Sequence, residues 1–199
     1  MHNNINKKLT NKHLLLMLLY SPGLSNKVNE PIRGRTRLMK MIFLFKEELQ
    51  KEFLKEKRNL EFSLPEFYPW HYGPFSKDVF NDLEFFRNNS YIIDQSTNEE
   101  KSNIEAEEYE NWIDDYLLGN EKEIEKYFVV EEYFKLTQKG EDWVKNKLFD
   151  NLTEKQKELL HDFKRKFNAA PLESIIRYTY LQYPQYTNAS KIRESVFGK

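Results

Sequence analysis

The sequence predicts an α+β, mainly helical fold, and three observations carry that prediction. Apolar residues recur at helical spacing in at least five separate stretches. Tyr91-Ile92-Ile93 reads as a strand, and Tyr133–Thr137 alternates and reads as a second one. Aromatic residues make up 15% of the 199 residues, 15 Phe, 12 Tyr and 3 Trp. Each buried ring removes roughly 150–250 Å² from water, so a core is within reach although only 39% of the chain is hydrophobic.

Taken in order, residues 12–20 read as a short buried helix that ends at Ser21-Pro22-Gly23. The basic residues before its apolar run imitate a signal peptide. The run is short and no small-residue cleavage site follows, so a buried first helix is the expectation. A loop through Asn29-Glu30-Pro31 leads to a long helix starting near Arg35 or Thr36. Its stripe is Leu38, Met41, Ile42, Phe45 and Leu49, with Met39 and Phe43 off the stripe, which predicts burial on two sides in the first half. Beyond Lys46 the helix becomes charged.

Residues 61–75 change character. Pro65 and Pro69 forbid a helix, and the Phe, Tyr and Trp content predicts extended, aromatic-packed chain. Gly73-Pro74 signals a turn. Ser76 fits an N-cap, with Val79, Phe80, Leu83 and Phe86 as the stripe of a third helix that Asn88-Asn89 end. Strands are expected at 91–95 and 133–137, with an insertion at 96–132 between them in which Trp112, Ile113, Tyr116 and Leu117 give part of the segment a helical apolar face. Thr137 or Gln138 caps the next helix, which carries Trp143, Val144 and Leu148. Thr153 with Gln156 forms a capping box for a helix lined by Leu159, Leu160, Phe163 and Phe167. Pro171 suits the first position of a last helix, lined by Leu172, Ile175, Ile176 and Tyr180 and stopped by Pro184. Three helices followed by a two-stranded hairpin is the winged helix-turn-helix layout. Residues 1–150 then form the winged-helix domain with an elaborated acidic wing, and 151–199 a helical extension packed on it.

The formal net charge of −1 hides a segregation. Residues 1–60 are net +8, 61–98 net −4, 99–135 net −9 and 136–199 net +4. A uniformly basic nucleic-acid binder is excluded, as is a uniformly acidic disordered chain. The absence of cysteine excludes disulfides, thiolate metal sites and a Cys nucleophile, and is compatible with the cytoplasm, where the chain is expected. No run approaches the length of a membrane span, so no membrane partner is expected.

Chemistry is sparse. No Gly-rich phosphate loop exists, no His stands at metal-ligand spacing, and neither Ser63 nor Ser76 has a visible base. The expectation is no enzyme, no metal and no cofactor, with His71 as a hydrogen-bonded, partly buried side chain. Arg33, Arg35, Arg37 and Lys40 cluster where the long helix begins. Cations there oppose the helix dipole, each by roughly 0.3–1 kcal/mol, and want anionic partners. Three partners satisfy them: acidic side chains within the fold, for instance on the insertion, an acidic protein surface, or nucleic-acid phosphate. The third helix holds Lys77 and Arg87 against Asp78, Asp82 and Glu84, and the wing is acidic. Both elements that a winged helix brings to DNA have the wrong sign, because binding at ordinary salt rests on cations facing phosphate. Another protein is therefore ranked above nucleic acid as the partner, with a DNA-binding regulator as the alternative.

Several segments together resemble a known family. They are Gly34-Arg35-Thr36-Arg37-Leu38-Met39-Lys40 with Phe43-Leu44, the turn Tyr72-Gly73-Pro74-Phe75-Ser76, Leu83 with Tyr91-Ile92, and Tyr133-Phe134-Lys135-Leu136-Thr137 with Gly140. In this order they are similar to the YwgA-like proteins and the related SocA-type Panacea domains of bacteria and archaea. The tail with Tyr178, Tyr180, Tyr183-Pro184 and Ser190 also resembles YwgA-type tails. The resemblance implies a winged-helix protein without catalytic residues, associated with antitoxins, phage genes and adaptor roles.

Overall fold

The computed structural model describes residues 7–56, 60–97 and 131–197. The fold is mainly α with a small amount of β. Strand β1 (Lys7–Thr10) leads directly into α1 (Asn11–Tyr20). Thr10 N-caps α1 in a capping box with His13, whose Nδ1 lies 3.0 Å from the Thr10 amide. Leu14 through Leu19 are all buried. A helix apolar on every side belongs in a core, and each such Leu contributes roughly 1.5–3 kcal/mol by leaving water.

After the loop, β2 (Ile32–Arg33) precedes α2 (Arg35–Leu44). Gly34, at φ +81°, makes the corner between them. Every residue of α2 from Thr36 to Leu44 is buried, so the two-sided burial read from Met39 and Phe43 holds and extends to Arg37 and Lys40. The long helix is not uniform. A π-helical turn, Phe45–Leu49, separates α2 from α3 (Gln50–Lys55). It leaves Phe45 and Phe53 in the core, 5.5 Å apart, and Glu47 and Glu48 outside.

The proline-punctuated stretch is extended, as expected: β3 (Leu60–Ser63), β4 (Tyr68–Trp70) and β5 (Gly73–Phe75). Strand β3 pairs in parallel with β1, a pairing the sequence reading lacked, and β4 pairs antiparallel with β5. Helix α4 (Lys77–Asn88) buries Val79, Leu83 and Phe86. Strands β6 (Ile92–Thr97) and β7 (Glu131–Leu136) form the expected hairpin in the register Ile92↔Leu136 to Thr97↔Glu131. β2 pairs with the other edge of β7, giving the order β2-β7-β6. The insertion between the hairpin strands, including the apolar face assigned to Trp112, Ile113, Tyr116 and Leu117, lies outside the described residues except at its ends.

Thr137, not Gln138, caps α5 (Gln138–Lys147), accepting from the Gly140 amide at 3.1 Å. The Thr153–Gln156 capping box opens α6 (Glu154–Ala169) with both bonds formed. Pro171 is the N-cap of α7 (Leu172–Gln182), one position earlier than expected, and its carbonyl accepts from Ile175. α7 is not the last helix, because a short α8 (Arg193–Phe197) follows. Leu160, Phe163 and Phe167 of α6 and Ile175 of α7 share one core with α1, α2 and α4. A second cluster joins Tyr72 to Leu172, Ile176, Tyr180 and Ile192.

Candidate functional site

The four cations that open α2 do not form one solvent-facing patch. Arg33 is the exposed member, on β2, with its guanidinium 5.9 Å from the ring of Tyr133, its neighbour in β7. Arg35 is half-buried. Its Nη1 donates to Glu84 Oε1 of α4 at 2.9 Å, and it lies over Phe80 and Phe134. Arg37 is buried, and its Nη1 donates to Phe167 O and, at 2.7 Å, to Ala170 O. These are carbonyls at the end of α6, where a cation is favoured by the helix dipole and by otherwise unmatched acceptors. A charge unfavourable at its own helix's start thus serves the end of another. Lys40 is only 2% exposed and donates to Pro74 O at 3.1 Å. Lys46, about two turns on, donates to Pro65 O at 2.9 Å and lies 3.3 Å from Glu66. Arg37 and Lys40 of α2 and Lys46 of the π-helical turn therefore fix the end of α6 and the segments before and within the β4–β5 hairpin.

That hairpin carries Tyr72, Gly73, Pro74, Phe75 and Ser76, and the structure moves its turn. The loop is His71-Tyr72, and Gly73–Phe75 are strand residues rather than the turn itself. Pro74 lies directly opposite Pro69 in the register, so neither is asked for an N–H it lacks. Gly73 is required twice. Its φ is +88°, and a Cβ there would stand 2.7 Å from Cε1 of Tyr180. The Tyr180 hydroxyl lies 2.7 Å from Ser190 Oγ, and the Lys191 amide donates to His71 O at 2.9 Å. The turn motif and the C-terminal tyrosine–serine segment, far apart in sequence, thus meet. His71 stacks on Trp70 with ring centroids 4.7 Å apart. Ser76 stands at the N-cap, but its hydroxyl makes no capping bond and is buried without a partner in the described residues. No group of His, Asp or Glu among the described residues could hold a metal.

The outer face of α4 presents Lys77, Asp78, Asn81, Phe85 and Asn88, with Phe85 46% exposed. Asp82 accepts from Asn11 at 2.8 Å and lies 3.8 Å from Lys12, whose Nζ sits 4.1 Å from the centre of the Phe85 ring. Burial raises the Asp82 carboxyl above its ordinary range, against the pull of Asn11 and Lys12. Arg87 pairs with Glu84 at 2.9 Å, the same carboxylate that Arg35 holds. Of the two cations on this helix, Arg87 is thus consumed internally, while Lys77 stays exposed next to the exposed Asp78.

Two further arrangements escaped the sequence reading. Lys164 of α6 is fully buried, and its Nζ donates to Leu19 O at 2.8 Å and Ser21 O at 2.7 Å, at the end of α1. Burial pulls it down to about 7, with Glu30 pulling the other way. Its position was legible, because Leu160, Phe163, Lys164 and Phe167 are spaced i, i+3, i+4 and i+7. Glu30 clasps the loop after α1, accepting from the Leu24 and Ser25 amides, the Ser25 hydroxyl and Asn168. Burial would raise its carboxyl, but these bonds prevail and hold it at about 2. Gly23 is where this clasp closes, since a Cβ there would collide with the Glu30 carboxylate.

A family model described as antitoxin SocA-like, Panacea domain, matches residues 38–184. The matched stretch contains Lys40, the β4–β5 hairpin, α4, the β6–β7 hairpin and the tyrosines of α7. No curated protein matches the chain.

Proposed function

The chain belongs to the antitoxin SocA-like Panacea family, and from that premise we propose that it is a non-catalytic, antitoxin-like subunit that works by binding another protein. The core on which it does so is a winged helix. The order α1, β2, α2, α4, β6 and β7, with β7 between β2 and β6, supports this reading, in which α4 is the recognition helix. The setting we infer is a toxin–antitoxin or phage-defence system of the cytoplasm.

One observation carries the choice of protein over DNA. The face of α4 that would enter a major groove offers a single exposed cation, Lys77, set beside Asp78, Asn81 and a large exposed Phe85, whereas its Arg87 is tied to Glu84. Duplex binding draws on Lys and Arg side chains that neutralise phosphates and release their counterions, and an exposed aromatic suits a protein interface. Fold alone does not decide, since winged helices serve many roles. The α2 cations support the same reading. Arg35 is paired with Glu84, and Arg37 and Lys40 are engaged with backbone carbonyls, so these cations serve the fold and do not form a phosphate-binding patch. No described helix is long and apolar enough to cross a membrane.

The test is affinity purification from native extract after nuclease treatment. A protein retained in fixed stoichiometry supports the reading. Retention of nucleic acid alone, with duplex affinity falling steeply between 50 and 200 mM salt as expected for roughly 6–10 phosphate contacts, establishes a winged-helix regulator instead.

A further inference from the structure

We draw no further inference here: the strongest candidate, the tyrosine-lined carboxylate cluster where Glu47 and Glu48 of the π-helical turn face Tyr178, Tyr183 and Tyr186, is an acidic cluster beside which nothing in the structure indicates a ligand.

Discussion

Replacing Gly73 by alanine strikes the point where the β4–β5 hairpin meets the C-terminal helices. Two costs add. The backbone stands at φ +88°, where a residue with a Cβ loses roughly 1–2 kcal/mol relative to glycine. The new methyl would also lie 2.7 Å from the Tyr180 ring. That ring is no flexible end: it is buried, and its hydroxyl is held by Ser190. Moving it costs a further 1–3 kcal/mol or so, the range for overpacking a core. The expected loss is therefore about 2–5 kcal/mol, a large share of the roughly 5–15 kcal/mol that holds a domain folded. At roughly 2–4 °C per kcal/mol for a chain of this size, the melting temperature should fall by at least about 4 °C. Urea denaturation followed by circular dichroism measures the free energy directly. A double-mutant cycle with Tyr180→Ala separates the two costs. With the ring removed, the alanine should cost about 1–3 kcal/mol less than it does alone, leaving the backbone part. The reasoning is refuted if Gly73→Ala lies within 0.5 kcal/mol of the wild type, or if Tyr180→Ala leaves the cost of the alanine unchanged.

Arg37→Met should destabilise by about 2–4 kcal/mol, because it strands buried carbonyls of Phe167 and Ala170; Arg33→Ala on the exposed β2 position should cost under about 1 kcal/mol, and equal denaturation midpoints for the two would contradict the internal role of Arg37. Lys164 binds its proton less readily folded than unfolded, so its burial cost is fully felt below about pH 7 and disappears as pH rises toward the unfolded value near 10.5; stability measured between pH 7 and 9.5 should therefore rise in the wild type relative to Lys164→Met, and parallel curves would remove the buried charge from the account. Glu30 behaves oppositely: with its folded carboxyl at about 2 against 4.5 unfolded, its stabilisation is complete above pH 4.5 and is lost as pH falls through 2. Glu30→Gln should thus be less stable than the wild type at pH 6 and approach it at pH 2, and a constant difference across that range would rule out the clasp as the source.

What the sequence made legible was whatever repeats along a helix. α1 was legible as an unbroken apolar run, the stripes on α2, α4, α6 and α7 recur at helical spacing, and Thr137 and Thr153 announce their helices through local side-chain bonds. The hairpin β6–β7 was placed for a similar reason, since its inner residues alternate. What stayed hidden depends on partners distant in sequence. β1 is four residues long and takes its identity from β3, more than fifty positions away, and β2 is two residues that exist as a strand only beside β7. The π-helical turn changes no periodicity strongly enough to be read. Gly73-Pro74 looked like a turn because the pair is common in turns, yet the proline fits opposite Pro69 and His71-Tyr72, just before the pair, make the bend.

The candidate site shows the same division. Clustering of Arg33, Arg35, Arg37 and Lys40 was visible, and so was the need for acceptors at that helix start. That the acceptors include the last carbonyls of α6 and the carbonyl of Pro74 follows from tertiary packing and from no local signal. Lys164 and Gln156 are different: both occupy buried positions on the α6 stripe, so a polar residue on an apolar face was there to be noticed.

The measurement closest to the central claim is native mass spectrometry of the tagged chain purified under nuclease from its own extract. A discrete complex with a second protein, weakened by Phe85→Ala in a chain that melts normally, is the predicted result. The chain emerging free of protein, and binding duplex DNA with a salt-sensitive affinity that Lys77→Ala reduces, would contradict it.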